Sequence, residues 1–464
     1  MLIRKVVRHI LIVFALAFSL GAQDKVFFGN LHSHTSYSDG SGKPVAAYKH
    51  ARDVAHVDFL AITEHNHAQA EQGASADRRD GILIAKDHDL YSGSAATSLI
   101  SAAHAANEDG SFVAIYGQEF SSISSGNHVN VFEISDVITV PNGAFDQLVT
   151  LLETVRDSRN KQPIVQFNHP GLNDKNPAKD YGEDDFASQA EWVEKVGKFA
   201  RTIAILNGPH DVKTTDNRPP GSLEGQYLHY LQLGFHLAPV ADQDNHYQTW
   251  GDATVARTGV IAPALTKADI LDAIDQRHVY ATEDKNLRLI FKVDGHLMGD
   301  EIPAPAVGSL LPITFSIKDD DEPNAGYSIE VFSGVIAGTP AVEIDKLETD
   351  GDTTNGQIDS IKYEGGNQFL FFKITQVNED GVKDRAWTAP LWLVPGTAAP
   401  PPGTPTPPVT AQGCPAGDHF VASKKRSIYH CSSCRDAHNI SETNLVVDDD
   451  AVRGRTLHEG CPRK

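Results

Sequence analysis

Short apolar runs alternate with amphipathic stretches along the N-terminal part of the chain. The runs predict buried strands at Lys25–Leu31, Val57–Thr63, Phe112–Gln118, Pro163–Asn168 and His236–Ala241. Helical spacing of apolar residues occurs at Pro44–His56, Ala95–Asn107, Ala144–Asn160, Phe186–Phe199, Leu223–Gly234 and Lys267–Arg277. This alternation predicts an α/β fold in which crossover helices join parallel strands.

The pattern changes after Thr282, where short β-type runs are separated by turns rich in Gly, Asp and Asn. The runs are Leu287–Asp294, Leu311–Ile317, Tyr327–Phe332, Ile358–Tyr363 and Phe369–Val377. They predict a β-sandwich domain over residues 286–394. Residues 395–410 are rich in Pro, Gly and Thr and predict an extended linker, followed by a small module at 411–464.

The first residues have the pattern of a secretory signal peptide. Basic residues precede the apolar run Ile10–Leu20, and the small residues Gly21 and Ala22 follow it. The run is shorter than the ~20 residues of a typical membrane span, which favours cleavage after about residue 22 over an uncleaved anchor. We therefore expect a periplasmic or secreted protein.

All four cysteines lie in the C-terminal module. They are Cys414, Cys431, Cys434 and Cys461. An even number of cysteines in an exported chain favours two disulfides. The alternative is one zinc ion bound by all four, although such sites usually contain two close C-x-x-C pairs and this module has one.

The chain is acidic, with a formal net charge of −21. Removal of the basic signal peptide makes it more negative. Such a surface repels nucleic acid and anionic membranes, so we expect neither as a partner. Bound divalent cations reverse the field locally, so a small anionic or ester-type substrate remains compatible. We expect contact with a surface or polymer from the C-terminal module alone.

Side chains that commonly bind metal ions follow the predicted strands. His32 and His34 come directly after the first strand, and residues two apart on an extended segment point the same way. Further candidates follow in chain order: Asp39, His65, Glu119, His128, His169, Asp244 and His246. Because the carboxyl ends of parallel strands meet at one face, this pattern predicts a single polynuclear metal site.

The residues around these candidates form an ordered series of motifs. They read N-L-H-S-H-T-x-x-S-D-G, T-E-H, G-x-E, N-H-x-N, N-H-P and D-x-H. The series resembles the polymerase-and-histidinol-phosphatase (PHP) superfamily, and more narrowly its exported branch with carbaryl-hydrolase-like proteins. The resemblance covers about residues 25–283, and QRHVYAT at 276–282 and GHLMGD at 295–300 also resemble that branch. It implies a distorted (βα)7 barrel over residues 23–285 that holds two to three divalent metal ions.

Carried over to this chain, the resemblance implies three sets of ligands. The first metal would be bound by His32, His34, Glu119 and Asp244. Glu119 would bridge to a second metal, completed by His128 and His169, while Asp39, His65 and His246 match the third. Glu119, Asp244 and His246 are also assigned to catalysis. These nitrogen and oxygen donors suit zinc, manganese or iron.

Several neighbouring residues have other expected roles. Asp242 competes with Asp244 as a ligand, and the D-x-H spacing favours Asp244. Glu64 precedes His65 and is expected to orient a metal ligand by a hydrogen bond without binding the ion itself. Three further histidines lack a ligand-type motif and are expected to be structural: His210, His229 and His278.

The expected chemistry is hydrolysis by a metal-bound hydroxide. Metal ions lower the pKa of bound water toward ~7 and polarise the electrophile. The first prediction is a phosphoesterase that acts on exported organic phosphates. The alternative is a carbamate, ester or amide hydrolase that uses the same site. A third hypothesis, a metal-loaded binding module without catalysis, would be favoured by the loss of ligands, and the motifs lack none.

Overall fold

The computed structural model describes residues 24–67, 83–93, 97–121, 127–171, 177–210 and 221–395, with four short segments beyond. The chain divides into two compact units, Met1–Pro395 and Gly396–Lys464. The expected signal peptide, the linker and the cysteine side chains lie outside the described parts. Among the described helices, none combines the length and the apolar character that a membrane crossing requires.

A row of eight neighbouring strands positions the candidate site. They are β1 (Lys25–Asn30), β2 (Phe59–His65), β3 (Val113–Phe120), β4 (Val129–Phe132), β5 (Val165–Phe167), β6 (Ala200–Asn207), β7 (Ala238–Asp242) and β8 (Arg257–Ala262). Their order is β8-β1-β2-β3-β4-β5-β6-β7. β1 to β3 are parallel to one another, as are β5 to β7.

The five strands that the sequence predicts are parallel to one another, and β4 and β8, which it did not predict, run the other way. β4 pairs antiparallel with both β3 and β5, and β8 pairs antiparallel with β1. Only a short loop separates Phe120 from Val129, and a parallel neighbour needs a connection of about a dozen residues or more. As a result, the start of β4 lies at the same face as the ends of β3 and β5.

The row curls back so that β7 lies beside β1 and β8. The contact is made by side chains: the Thr258 hydroxyl accepts from Ala241 N at 2.9 Å and donates to Ala241 O at 3.0 Å. Asn30 Nδ2 also donates to Ala241 O, at 3.1 Å. The mixed α/β fold is therefore confirmed. Among the described residues, the backbone joins the segments after β1 and β7 at an isolated parallel bridge between Ser33 and Asn245, just beyond the strand ends, so the strands themselves do not close a barrel by a continuous ladder.

Helices fill most of the connections between these strands. They are α1 (Pro44–Asp53), α2 (Asp89–Ser92), α3 (Leu99–Ala106), α4 (Phe145–Thr154), α5 (Gln189–Gly197), α6 (Glu224–Leu233) and α7 (Lys267–Asp275), with a 3-10 segment at Pro177–Asp185. Hydroxyl side chains cap three of them: Ser98, Ser188 and Thr266 each accept a hydrogen bond from a first-turn backbone N–H. The left-handed Gly234 ends α6.

The residues after Thr282 form the predicted β-rich part. Its strands are β10 (Arg288–Val293), β11 (His296–Leu297), β12 (Glu301–Pro303), β13 (Leu310–Lys318), β14 (Gly326–Val335), β15 (Val342–Asp350), β16 (Thr353–Lys362), β17 (Gln368–Val377), β18 (Lys383–Thr388) and β19 (Leu391–Val394). One sheet has the order β11-β10-β13-β16. Phe291 stacks on Phe315 of the neighbouring strand, with ring centroids 5.5 Å apart, and on Phe372 of the other sheet at 4.5 Å.

The second sheet of the β-rich part continues into the N-terminal strands. β9 (Val279–Thr282) pairs with β8 on one side and with β18 on the other. One continuous sheet therefore crosses the predicted domain boundary near residue 285. In the second unit, the described strands are β20 (Phe420–Ser423), β21 (Ile428–Cys431), β22 (Leu445–Val447) and β23 (Thr456–Leu457).

Candidate metal centre

The segment after β1 is held against the segment after β7. His34 N donates to Asn245 O at 2.8 Å, and Asp244 N donates to His32 O at 3.1 Å. Asp244 adopts a left-handed backbone with a φ of 48°, a conformation that non-glycine residues hold at an energetic cost. These contacts bring Asp244 to the side of the fold on which His32 and His34 lie.

Four side-chain atoms from these segments and from β3 form a compact group, which we call the first cluster. Its members are His32 Nε2, His34 Nε2, Glu119 Oε2 and Asp244 Oδ1. The two nitrogens are 3.1 Å apart. Glu119 Oε2 lies 3.2 Å from each nitrogen, and Asp244 Oδ1 lies 3.3 and 3.2 Å from them.

These separations have the size expected around a single metal ion. The corners of a regular tetrahedron are about 1.6 times as far from one another as from its centre. Ligand atoms about 2.0–2.1 Å from an ion are therefore about 3.3 Å apart. The first cluster matches this spacing, and its two imidazole nitrogens and two carboxylate oxygens are suitable donors. The residues present therefore fit a divalent metal ion.

Glu119 also contacts a second group of histidines. Its Oε1 atom lies 3.0 Å from His128 Nδ1 and 3.1 Å from His169 Nε2. Its Oε2 atom lies 3.1 Å from His65 Nδ1. His65 is placed there by the β2–β3 ladder, in which His65 pairs with Glu119. His128 precedes β4 and reaches this face because β4 runs antiparallel.

A third group surrounds Asp39 in the loop after β1. His246 Nε2 is 3.2 Å from Asp39 Oδ1, and His65 Nε2 is 3.6 Å from Asp39 Oδ2. The His34 ring stacks between those of His65 and His246, with centroids 4.5 and 4.3 Å away. The structure thus brings together all the predicted metal ligands: His32, His34, Asp39, His65, Glu119, His128, His169, Asp244 and His246.

The carboxylates of the centre are held in the ionised form. Burial alone would raise the pKa of Glu119, but the nearby His32, His65 and His128 outweigh it and hold that pKa well below its usual range. Burial likewise opposes ionisation of Asp244, and His32 and His210 lower its pKa well below the usual value. Burial lowers the pKa of His65 to about 3. The ionised carboxylates and the neutral His65 are in the form that binds metals. At His34, burial is outweighed by hydrogen bonds to Asp244 and Glu119, which raise its pKa well above the usual value, so a metal ion would displace a proton there.

Two buried acids lie behind the ligands. Glu64 accepts from Thr35 N at 3.0 Å and from the hydroxyls of Thr35 and Ser38, so it braces the loop that carries His34. Asp242 accepts from Leu31 N and from Gln166 Nε2, each at 2.7 Å. Because hydrogen bonds occupy both of its oxygens, Asp242 orients strands rather than facing the first cluster.

Sequence reasoning missed two residues that contact Asp244. His210 Nδ1 lies 2.8 Å from Asp244 Oδ2, and Asn207 Nδ2 donates to the same oxygen at 3.3 Å. Both residues could have been found if β6 had been predicted from the sequence. It ends at Asn207, and Gly208, Pro209 and His210 follow it, as the candidate ligands follow other strands.

The other two histidines expected to be structural lie elsewhere. His229 is exposed on α6. His278 Nε2 lies 2.8 Å from Asp300 Oδ1, a contact between the end of α7 and the β-rich part.

Comparisons with known proteins give distant similarities. No family model matches the chain. An uncharacterised protein of Chlamydia muridarum (strain MoPn / Nigg) is 23% identical over 320 residues, which are 62% of this chain and 47% of that protein. The chain therefore spans about half the length of the curated relative that it matches.

One solved structure is similar to most of the chain. It is a two-domain protein from Bacteroides vulgatus that contains a predicted PHP-like metal-dependent phosphoesterase. The match covers 76% of this chain and 91% of that one, with 16% identity and a TM-score of 0.37.

Proposed function

We propose that this chain is a metal-dependent hydrolase of the PHP type, with phosphoesters as its substrates. The first cluster is the observation that carries the proposal. Its four donor atoms lie 3.1–3.3 Å from one another in the measured pairs and are buried. Groups packed so closely, with two carboxylates among them, would be costly in a site that held no cation.

The contacts of each side chain suggest which ion it would bind. His32, His34, Glu119 and Asp244 would hold one ion. Glu119 would share its carboxylate with a second ion that His128 and His169 complete. A third ion would lie among Asp39, His65 and His246. When bound, such ions supply Lewis acidity and an activated water molecule.

The chain itself keeps these donors in place. Asn168 Nδ2 donates to Glu119 Oε1 at 3.0 Å, which fixes the carboxylate between its histidines. Glu64 fixes the loop of His34, and the ladder between the segments after β1 and β7 fixes Asp244. A rigid set of donors favours in-line displacement at phosphorus, because positioning and charge neutralisation are most of what that reaction requires.

Carbonyl substrates are the alternative for the same site. The segments 276–282 and 295–300 resemble the exported branch with carbaryl-hydrolase-like proteins, which favours a carbamate, ester or amide as the second candidate. We also propose export, from the basic and apolar pattern of residues 1–22, and surface or polymer contact by residues 411–464.

A substrate panel on metal-analysed protein tests the proposal. Full-length protein should contain two to three transition-metal ions per chain and hydrolyse phosphomonoesters or phosphodiesters faster than carboxylesters or carbamates. The double variant His32→Ala, His34→Ala should lose at least one ion and most of the activity. His229→Ala, on the exposed face of α6, is the matched control and should keep both.

Each contrary outcome has a distinct meaning. A metal-free protein with full activity would overturn the metal-dependent mechanism. Full metal occupancy with turnover of carbamates or carboxylesters alone would establish the carbonyl alternative. Full occupancy without turnover of any class in the panel would favour a binding module.

A further inference from the structure

We propose that His210 and Asn207 are positioning residues that fix the metal-binding face of Asp244. They hold one oxygen of its carboxylate, Oδ2, so that the other, Oδ1, points into the first cluster. The inference rests on the proposed function, because it assigns the orientation of a ligand in the proposed metal site.

Both hydrogen bonds to the Asp244 carboxylate end on Oδ2. His210 Nδ1 lies 2.8 Å from Oδ2, and because a carboxylate that binds a metal ion acts as an acceptor, His210 carries its proton on Nδ1. Asn207 Nδ2 donates to the same oxygen at 3.3 Å. Oδ2 thus has two donors, while Oδ1 lies 3.3 and 3.2 Å from His32 and His34.

The backbone that carries the two donors is itself held against β7 and the residues after it. In the β6–β7 ladder Asn207 pairs with Asp242. The pairing continues past both strands, since Gly208 N donates to Asp242 O and His210 N donates to Gln243 O, each at 3.1 Å. His246 N in turn donates to His210 O at 3.0 Å. The segment 207–210 is thereby fastened along the segment that carries Asp244 and His246.

The Asp244 carboxylate would have more freedom without these two donors. Its Oδ1 atom lies 3.9 Å from His246 Nδ1, but that nitrogen is 2.8 Å from the backbone oxygen of Asp244. Without donors on Oδ2, the carboxylate could bind an ion through both oxygens. His210 and Asn207 restrict it to one rotation. Hydrogen bonds of this kind behind a metal ligand typically contribute about 10–100-fold in metal affinity or activity.

The test is a metal titration that does not depend on turnover. Mn²⁺ and Co²⁺ would be added to metal-stripped, full-length wild type, His210→Ala and Asn207→Ala. We expect the tightest site to bind about 10–100-fold more weakly in His210→Ala, with a smaller loss in Asn207→Ala. The visible spectrum of bound Co²⁺ should change in both, since it reports on ligand geometry.

Two further variants separate positioning from general damage. His210→Asn places an amide N–H near the position of Nδ1 and should restore most of the affinity and the wild-type Co²⁺ spectrum. His229→Ala removes an exposed histidine on α6 and should match wild type. Circular dichroism checks folding. If His210→Ala does not fold, the metal affinities of Asn207→Ala and His210→Asn test the positioning role instead.

The outcomes are distinguishable from failure of the proposed function. Wild-type protein that binds no metal would overturn the proposed function and this inference together. Wild-type protein that binds metal, with unchanged affinity and spectrum in His210→Ala and Asn207→Ala, would overturn the inference alone. A lower kcat in His210→Ala with unchanged metal binding would assign His210 to the substrate and also overturn the positioning role.

Discussion

Glu119 is the residue on which the three groups of the metal centre converge. Its Oε2 atom contacts His32, His34 and His65, and its Oε1 atom contacts His128 and His169. Replacement by Gln preserves the shape but removes the charge and turns one acceptor into a donor. We expect Glu119→Gln to lose more activity and metal than His128→Ala or His169→Ala.

Metal analysis together with kcat/KM measures this difference. Each histidine variant removes one donor from one group, whereas Glu119→Gln weakens both groups that share its carboxylate. A near-wild-type rate of Glu119→Gln at full metal occupancy would show that Glu119 does not bridge two ions. The polynuclear mechanism would then have to be abandoned.

At the scale of residues, most candidate ligands could be predicted because they lie at the end of an apolar run, and the ordered motifs supplied the others, such as His128. Asp242 and Asp244 show the limit of that reasoning: Asp242 ends β7 and Asp244 follows it, and the hydrogen bonds of Leu31 and Gln166 to Asp242 show that it is not a ligand of the first cluster. His210 could not be assigned, because its contact with Asp244 depends on a pairing between segments far apart in the sequence.

Among the secondary-structure elements, Thr258 on β8 makes one of the contacts that join the two ends of the strand row. Its hydroxyl bonds both the N–H and the carbonyl of Ala241 on β7. Thr258→Val preserves the shape but leaves a buried N–H without its acceptor. We expect a loss of about 1–3 kcal/mol in the free energy of unfolding, measured by urea denaturation.

Thr258→Ser is the matched control, since it keeps the hydroxyl. It should lie closer to wild type than Thr258→Val, with only the cost of a missing methyl group. Equal stability of Thr258→Val and wild type would mean that the strand row does not depend on this bridge.

The elements with a clear hydrophobic period were predicted, with ends that differ by a few residues. β6 was missed because Arg201 and Thr202 interrupt its apolar pattern. Each has a partner distant in the sequence: Arg201 binds Asp275, and Thr202 donates to Gln166. The direction of β4 could not be predicted either, since its local sequence pattern is the same for parallel and antiparallel pairing. Tertiary contacts, rather than local sequence, decide both points.

At the scale of the molecule, Glu301 of the β-rich part binds two residues from the N-terminal part. His236 Nδ1 lies 2.7 Å from Glu301 Oε1, and the Arg277 guanidinium donates to the same oxygen. The hydrogen bond from His236 lowers the pKa of Glu301 to about 2. Because this value lies below that of the unfolded chain, the stabilisation is present above about pH 4.5 and is lost as the pH falls toward 2.

Glu301→Gln should therefore lower the free energy of unfolding at pH 7 and reduce its dependence on pH between about 5 and 2. The effect should be modest, since the side chain is 40% exposed and water screens the pair. Urea denaturation at a series of pH values measures it against wild type. An identical pH dependence of variant and wild type would show that these contacts do not couple to folding.

Truncation tests where the catalytic unit ends. All the proposed ligands precede residue 247, and β19, at Leu391–Val394, pairs with β12 and β17. A chain that ends at Pro395 should keep its catalytic rate within a few-fold. A chain that ends at Pro390 should unfold, since it loses the buried Leu391, Trp392 and Leu393. A large loss of rate in the folded, longer chain would show that later residues reach the site.

The ladder from β8 through β9 to β18 has a consequence for motion. In many two-domain enzymes a flexible hinge lets one domain rotate over the other and close the active site. Here the backbone hydrogen bonds between β9 and β18, and the ion pair between Glu283 and Arg385, would have to break before such a rotation. Opening and closing by rotation of the β-rich part against the N-terminal strands is therefore disfavoured.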